Sequence, residues 1–214
     1  MEQVALSLLS SYGSTILSEY IKDVPRIHQE VEVSLIDKAQ MTIDRNRDIL
    51  GTAQALTSLL HESKDINQFV EVALTGFSKA SQFYRCSFWM VSRDRSIIST
   101  RITFMKDASP IDFECTINLV EEPNVMNYVF NSGQTVIVLN KKEIKRQDFI
   151  SHEISTLMAN GGLCVFPVKI GSVIIGVISG QVSHENCVED KEAFAQYQFL
   201  VEHLNMFLSM VVGR

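Results

Sequence analysis

Gly161-Gly-Leu-Cys-Val-Phe-Pro-Val-Lys-Ile-Gly-Ser-Val-Ile-Ile-Gly-Val-Ile-Ser-Gly180 decides the fold of this chain, because it reads as two strands folded back on each other. Leu163 to Val168 and Val173 to Ser179 are rich in β-branched and aromatic residues, and Lys169-Ile170-Gly171-Ser172 between them supplies a glycine-centred turn. Pro167 cannot donate to a ladder, so it belongs at a strand edge or where its position faces away from a partner strand. Gly176 interrupts an otherwise apolar strand, the pattern of a bend or of a close backbone approach.

Helical patterns flank this hairpin on both sides. Glu189 to Val212 is amphipathic through Phe194, Tyr197, Leu200, Val201, Leu204, Phe207, Leu208 and Val211. Upstream, Asp148 to Ala159 reads as a helix ending at Asn160-Gly161-Gly162, and Lys141 to Arg146 as a basic, solvated loop. Gln134 to Leu139 reads as a buried strand. Asn124 to Asn131 reads as a helix led by Pro123 and closed by Gly133. Met105 to Glu114 reads as a loop containing Pro110, followed by a short strand at Phe113 to Ile117.

Cys86 to Ser92 and Ser96 to Phe104 form a second hairpin across Arg93-Asp94-Arg95. Before it, Asp65 is the N-cap of a helix with Ile66, Phe69, Val70, Ala73, Leu74 and Phe77 on one face. Two long helical patterns precede that helix, one over residues 2 to 24 and one from Pro25 to about Glu62. The second is polar between Asp37 and Asp48, as expected of a helix that bridges or pairs with a partner helix. The order of elements predicts an α+β fold: a central antiparallel sheet of five or six strands flanked by helices, with an N-terminal helical extension.

Composition narrows the function classes. The 214 residues carry a formal net charge of -6, which argues against a nucleic-acid surface. No apolar stretch reaches the length of a membrane span, and the N-terminus lacks the pattern of a secretory signal, so a cytoplasmic location is expected. The four cysteines are far apart and form no CxxC pair. Cys86 and Cys164 fall in apolar strands as small hydrophobes, while Cys115 and Cys187 lie in more polar surroundings with no pKa-lowering partner beside them. His28, His61, His152, His184 and His203 are scattered without ligand spacing, so no metal site is expected and no cofactor is assigned. No nucleophile, base and orienter can be assembled, so no catalytic residue is expected.

Residues from about 48 to 212 resemble a GAF domain. The resemblance rests on Asn67 to Phe77, Cys86 to Ser92, Val125-Met-Asn-Tyr-Val-Phe-Asn-Ser-Gly-Gln-Thr-Val-Ile-Val138 and Leu163-Cys-Val-Phe-Pro-Val-Lys-Ile-Gly-Ser-Val-Ile-Ile-Gly-Val177. It implies a GAF/PAS-like sensory domain over residues 48–214, with 1–47 as a helical extension or linker. The sheet would cup a small ligand on one face, and the N- and C-terminal helices on the other would pair with a second copy. Leu6 to Ser18 resembles the tail that leads from an HDOD signalling domain into a GAF domain. That implies the C-terminal part of a larger bacterial regulator with an upstream signalling domain.

The chain departs from several family members. Asn140-Lys141 and Glu189-Asp190-Lys191-Glu192 do not reproduce the cyclic-nucleotide signature, and Ser151-His152 lacks the preceding cysteine of bilin-binding members. The clustered cysteines of the family's methionine sulfoxide reductases are absent.

A GAF-type pocket would lie between the sheet and the irregular middle. Its candidate lining is Phe88, Met90, Arg101, Thr103, Phe113, Asn124, Tyr128, Cys164 and Phe166. Arg101 would be either exposed by strand alternation or paired with a ligand acceptor. Trp89 reads as a core residue with a hydrogen-bonded indole. Three readings follow: a non-catalytic ligand sensor, a dimerisation domain whose pocket is filled by its own side chains, and a cysteine-dependent redox enzyme such as a GAF-type methionine sulfoxide reductase.

Overall fold

In a computed structural model, the described residues are 35–81, 83–106, 109–120, 124–138, 162–182 and 191–213. The first helical pattern, the basic loop Lys141–Arg146, the helix expected over Asp148–Ala159 and Cys187 lie outside them. The chain divides into two compact units, Met1–Asp44 and Arg45–Arg214. In the first, residues 35–44 are helical, with Leu35 and Ile36 exposed.

The second unit opens with helix α1, residues 45–62. It continues with α2 (Ile66–Ala80), β1 (Phe83–Val91), β2 (Ile97–Met105), β3 (Thr116–Asn118), α3 (Val125–Ser132), β4 (Val136–Val138), β5 (Gly162–Ile170), β6 (Val173–Val182) and α4 (Lys191–Val212). The strands form one antiparallel sheet in the order β3-β2-β1-β6-β5-β4. This is the α+β architecture expected from the sequence.

Local signals act where the chain carries them. The Asp65 carboxylate accepts from the Asn67 N–H at 2.9 Å and starts α2. Asn124 caps α3 through the Asn127 N–H at 2.9 Å, and Gly133 ends it in the left-handed region at φ 67. The β5–β6 turn is Gly171-Ser172, with Gly171 at φ 60.

β4 covers only Leu163, Cys164 and Val165, so it is a short edge strand with Ile137 exposed, not the buried strand its apolar run suggests. The rest of β5, including Pro167, is left on an uncovered edge, where a residue without an N–H is tolerated. Side chains of α4 satisfy that edge. Asn205 accepts from the Lys169 N–H at 2.8 Å and donates to the Pro167 carbonyl at 3.2 Å, and Ser209 accepts from the Gly171 N–H at 2.7 Å.

The sheet has two distinct faces. Antiparallel partners share a face, so Phe104, Cys86, Gly180 and Cys164 form one cross-strand row, and Ile102, Phe88, Ile178 and Phe166 the next. These rows meet α1, α2 and α4 in the main core, where Phe77 packs on Phe166 at 5.7 Å between ring centroids and on Tyr197 at 5.8 Å. All eight apolar positions read from the last helix are buried in it. Arg45 is buried too, its guanidinium 6.0 Å from the centre of the Tyr197 ring, so the polar stretch of the helical pattern is not uniformly solvated. A second core, around Trp89, Leu163, Val165 and Val177, lies on the opposite face beneath α3.

Candidate functional site

The α3 face carries polar groups where a packed sheet would hold only apolar ones. Alternation along β1 sends Arg85, Ser87 and Trp89 to this face, and alternation along β6 sends Val177, Ser179 and Gln181 there. Thr103 on β2 is the partner of Ser87, which is in turn the partner of Ser179. Three hydroxyls therefore lie in one cross-strand row. Ser87, Thr103, Ser179 and Gln181 are all buried.

Each buried polar group has a partner, as the cost of burial requires. Thr103 Oγ1 donates to Ser87 Oγ at 3.0 Å, and the Trp89 indole Nε1 donates to Ser179 Oγ at 2.7 Å. Arg85 Nε donates to Gln181 Oε1 at 2.8 Å. The guanidinium stands over Phe113, 4.0 Å from the ring centre, and Phe113 meets Trp89 edge-on at 6.4 Å. Thr100 ties the irregular segment to β2: its hydroxyl donates to the Phe113 carbonyl at 2.7 Å and accepts from the Cys115 N–H at 2.9 Å.

Arg85 is the electrostatic centre of this layer. Burial lowers its pKa, while Tyr84 and Cys115 act in the opposite direction. Among the described residues it has no carboxylate partner, and its two terminal nitrogens have no acceptor. A guanidinium with one nitrogen engaged and its fork free can take a planar acceptor such as a carboxylate or a carbonyl.

The residues singled out in the sequence divide between several places. Thr103 and Phe113 belong to the polar layer. Phe88, Cys164 and Phe166 do not face the irregular segment: strand phase turns them into the helix-side core, where all three are buried. Met90 shares their phase, but it lies at the end of the sheet and is partly exposed. Arg101 is the extra residue of a bulge, opposite the step from Phe88 to Trp89, and it is exposed. Asn124 is spent on capping α3, and the Tyr128 hydroxyl donates to Gln134 Oε1 at 3.0 Å on the surface.

Arg85, Ser87, Ser179 and Gln181 were not among the sequence candidates. Their signal is the in-phase polar residue within an apolar strand, Arg85-x-Ser87 and Ser179-x-Gln181.

The described cysteines are separated. Cys86 and Cys164 are both paired with Gly180, one on each side of β6. Two strand spacings of about 4.8 Å put their Cα atoms roughly 9.6 Å apart, beyond the reach of a disulfide. Cys115 lies across the sheet from both. Among the described residues, no group of three or more His, Cys, Asp or Glu could hold a metal ion, and no helix is long and apolar enough to cross a membrane.

No family model matches this sequence, and no curated protein matches it. Solved structures match its fold. A fragment of a methyl-accepting chemotaxis protein superposes at a TM-score of 0.59 and 11% identity, covering 77% of this chain and 99% of that one. The GAF domain of an Acinetobacter phosphoenolpyruvate-protein phosphotransferase gives 0.55 and 14%, covering 77% and 95%. A free methionine-R-sulfoxide reductase from Neisseria meningitidis, in complex with its substrate, gives 0.58 and 16%, covering 77% and 90%. Identities this low speak to fold alone, and the fold is that of GAF domains. Sensory domains and an enzyme share it, so function must be argued from the site.

Proposed function

We propose, on the premise of the GAF fold, that this chain is a non-catalytic sensory or regulatory module of signal transduction that holds a small ligand on the α3 face of its sheet. The observation that carries this reading is Arg85, a partly buried guanidinium whose terminal donors have no acceptor among the described residues, set in a layer of buried polar side chains. An apolar layer of the same volume would pack at lower cost, so the polar groups favour a role beyond packing. A cytoplasmic setting and an upstream signalling domain belong to the same reading.

The test is a ligand screen read by thermal shift and by the fluorescence of Trp89, the chain's only tryptophan. A ligand at a hundredfold excess over its Kd adds about 2.7 kcal/mol of stability. Arg85→Met is expected to abolish the response at a cost of about 1–3 kcal/mol in stability, because methionine keeps the contact with Phe113 but leaves the buried Gln181 Oε1 without its donor. A flat screen, or hits that Arg85→Met leaves unchanged, would overturn this site.

Dimerisation is the second reading, favoured by an apolar stripe that stays exposed and has no covering element among the described residues. Phe199, Met206 and Met210 on α4 are 41%, 43% and 44% exposed and follow coiled-coil-like spacing, with His203 completing the row against Phe199 at 4.1 Å between ring centroids. On α1, Leu50 is exposed as well. The chain is expected to be a dimer in light scattering at micromolar concentration, and Met206→Glu with Met210→Glu to halve its mass. A monomeric wild type would sink the dimer.

The redox alternative has less support, because the described cysteines do not meet. It predicts methionine sulfoxide turnover that disappears on Cys115→Ser.

A further inference from the structure

A second concavity lies away from the polar layer. A cleft of about 600 Å³ opens between the start of α2, the β1–β2 turn and the β5–β6 turn. That volume is within the range of sites for small organic ligands. Its lining includes the apolar side chains of Met90, Ile174 and Ile175, and Met90, next to the end of β1, is 40% exposed.

The rim has the opposite character. Lys64, Arg93 and Arg95 line it and are exposed, and none forms an ion pair among the described residues. The nearby acids are already engaged. Asp65 caps the Asn67 N–H, and the Asp94 carboxylate accepts from the Ser92 and Ser96 hydroxyls at 2.6 and 2.8 Å. Those hydrogen bonds hold Asp94 below the usual carboxylate range. On a chain of net charge -6, Lys64, Arg93 and Arg95 outnumber the carboxylates of Asp65 and Asp94 around this cleft, so the local sign is positive by one formal charge. Arg95 also occupies a left-handed backbone position, φ 61, that glycine would take without steric penalty. Its side chain reaches α3, where the guanidinium stands 5.8 Å from the centre of the Phe130 ring, so Arg95 is held at the cleft by an aromatic contact.

We propose that this cleft binds a small amphiphilic anion, its apolar body on Met90, Ile174 and Ile175 and its head group against Lys64, Arg93 and Arg95. Apolar contact supplies the area, and the cations select the charge. The site is separate from the polar layer on the α3 face and does not rest on the ligand reading given to that face.

Decanoate titrated into the full chain is the test, followed by calorimetry and by methyl NMR of methionine and isoleucine. The expected result is saturable one-site binding that shifts the Met90, Ile174 and Ile175 methyls. Acetate and 1-decanol, each lacking one half of the amphiphile, are expected to bind about tenfold more weakly or worse. Met90→Glu and the double variant Lys64→Glu with Arg93→Glu, all at solvent-exposed positions, are each expected to weaken decanoate by about tenfold with Tm unchanged. Absence of saturable binding overturns the proposal, as does 1-decanol binding as tightly as decanoate. Decanoate binding that survives the cleft variants but disappears in Arg85→Met also overturns it, because the anion would then sit on the α3 face.

Discussion

Gly176→Ala is expected to destabilise this protein by about 3 kcal/mol or more, the upper end of what overpacking costs. A Cβ built at Gly176 overlaps the carbonyl oxygen of Trp89 and approaches the Phe88 ring at 3.1 Å. The clash is with backbone of the neighbouring central strand, so no rotamer change relieves it. β1 and β6 must separate, and they separate beside Trp89, whose indole depends on Ser179 in the same strand pair. Gly171→Ala is the control. Gly171 also needs glycine, for its positive φ, but it has open space around it, so about 1 kcal/mol is expected there. Urea denaturation separates the two cases, and equal costs would show that close approach does not govern Gly176.

Phe166→Ala is the second large effect, with an expected loss of about 3–5 kcal/mol. The ring is fully buried between Phe77 on α2 and the residues of α4, in the aromatic cluster that continues from Phe77 to Tyr197 and from Tyr197 to Phe83 at 5.2 Å. Removing it opens a cavity where sheet and helices meet. Phe166→Leu is expected to recover much of the loss, because the site asks for volume. The pair also tests the assignment of faces. A ligand that binds the α3 face should bind Phe166→Leu as it binds wild type. A selective loss of ligand response at wild-type stability would return Phe166 to the pocket.

The hairpin from Gly162 to Val182 was legible because its signals are local. A glycine turn, two β-branched runs and a proline on an uncovered edge need only nearest neighbours to be read. The helix ends at Asp65 and Gly133 were legible for the same reason, because each acts within four residues of itself; the cap at Asn124, read as a ligand candidate, was not. The last helix declared its buried face through a period that a solvent-exposed segment would have no reason to keep.

The face each strand presents was harder to read. Phe88, Cys164 and Phe166 alternate correctly with their neighbours, but alternation says only that they share a face and leaves open which layer covers it. Both faces of this sheet are covered, one by α1, α2 and α4 and the other by α3 and the irregular segment, so an apolar residue fits either. The polar residues were the better guide. Ser87, Thr103, Ser179 and Gln181 have no reason to be buried in a strand unless each finds a partner, Ser87 and Thr103 in one another, Ser179 in Trp89 and Gln181 in Arg85. Arg101 is exposed, one of the two alternatives read from the sequence, but as the extra residue of a bulge, and a bulge depends on pairing between strands.

By itself the sequence determined the order and type of the elements described between Leu35 and Gly213, because propensity, capping and periodicity are short-range properties. It also marked Gly176 as a bend or a close backbone approach, and the structure decided for the close approach, to the Trp89 carbonyl. Only the tertiary structure decided that Arg85 meets Gln181 across 96 positions of sequence and that Lys64, Arg93 and Arg95 gather around one cleft. Those arrangements depend on β1 pairing with β6 in one register. A strand's register is chosen by the whole sheet and the helices packed on it, which no short window of residues contains.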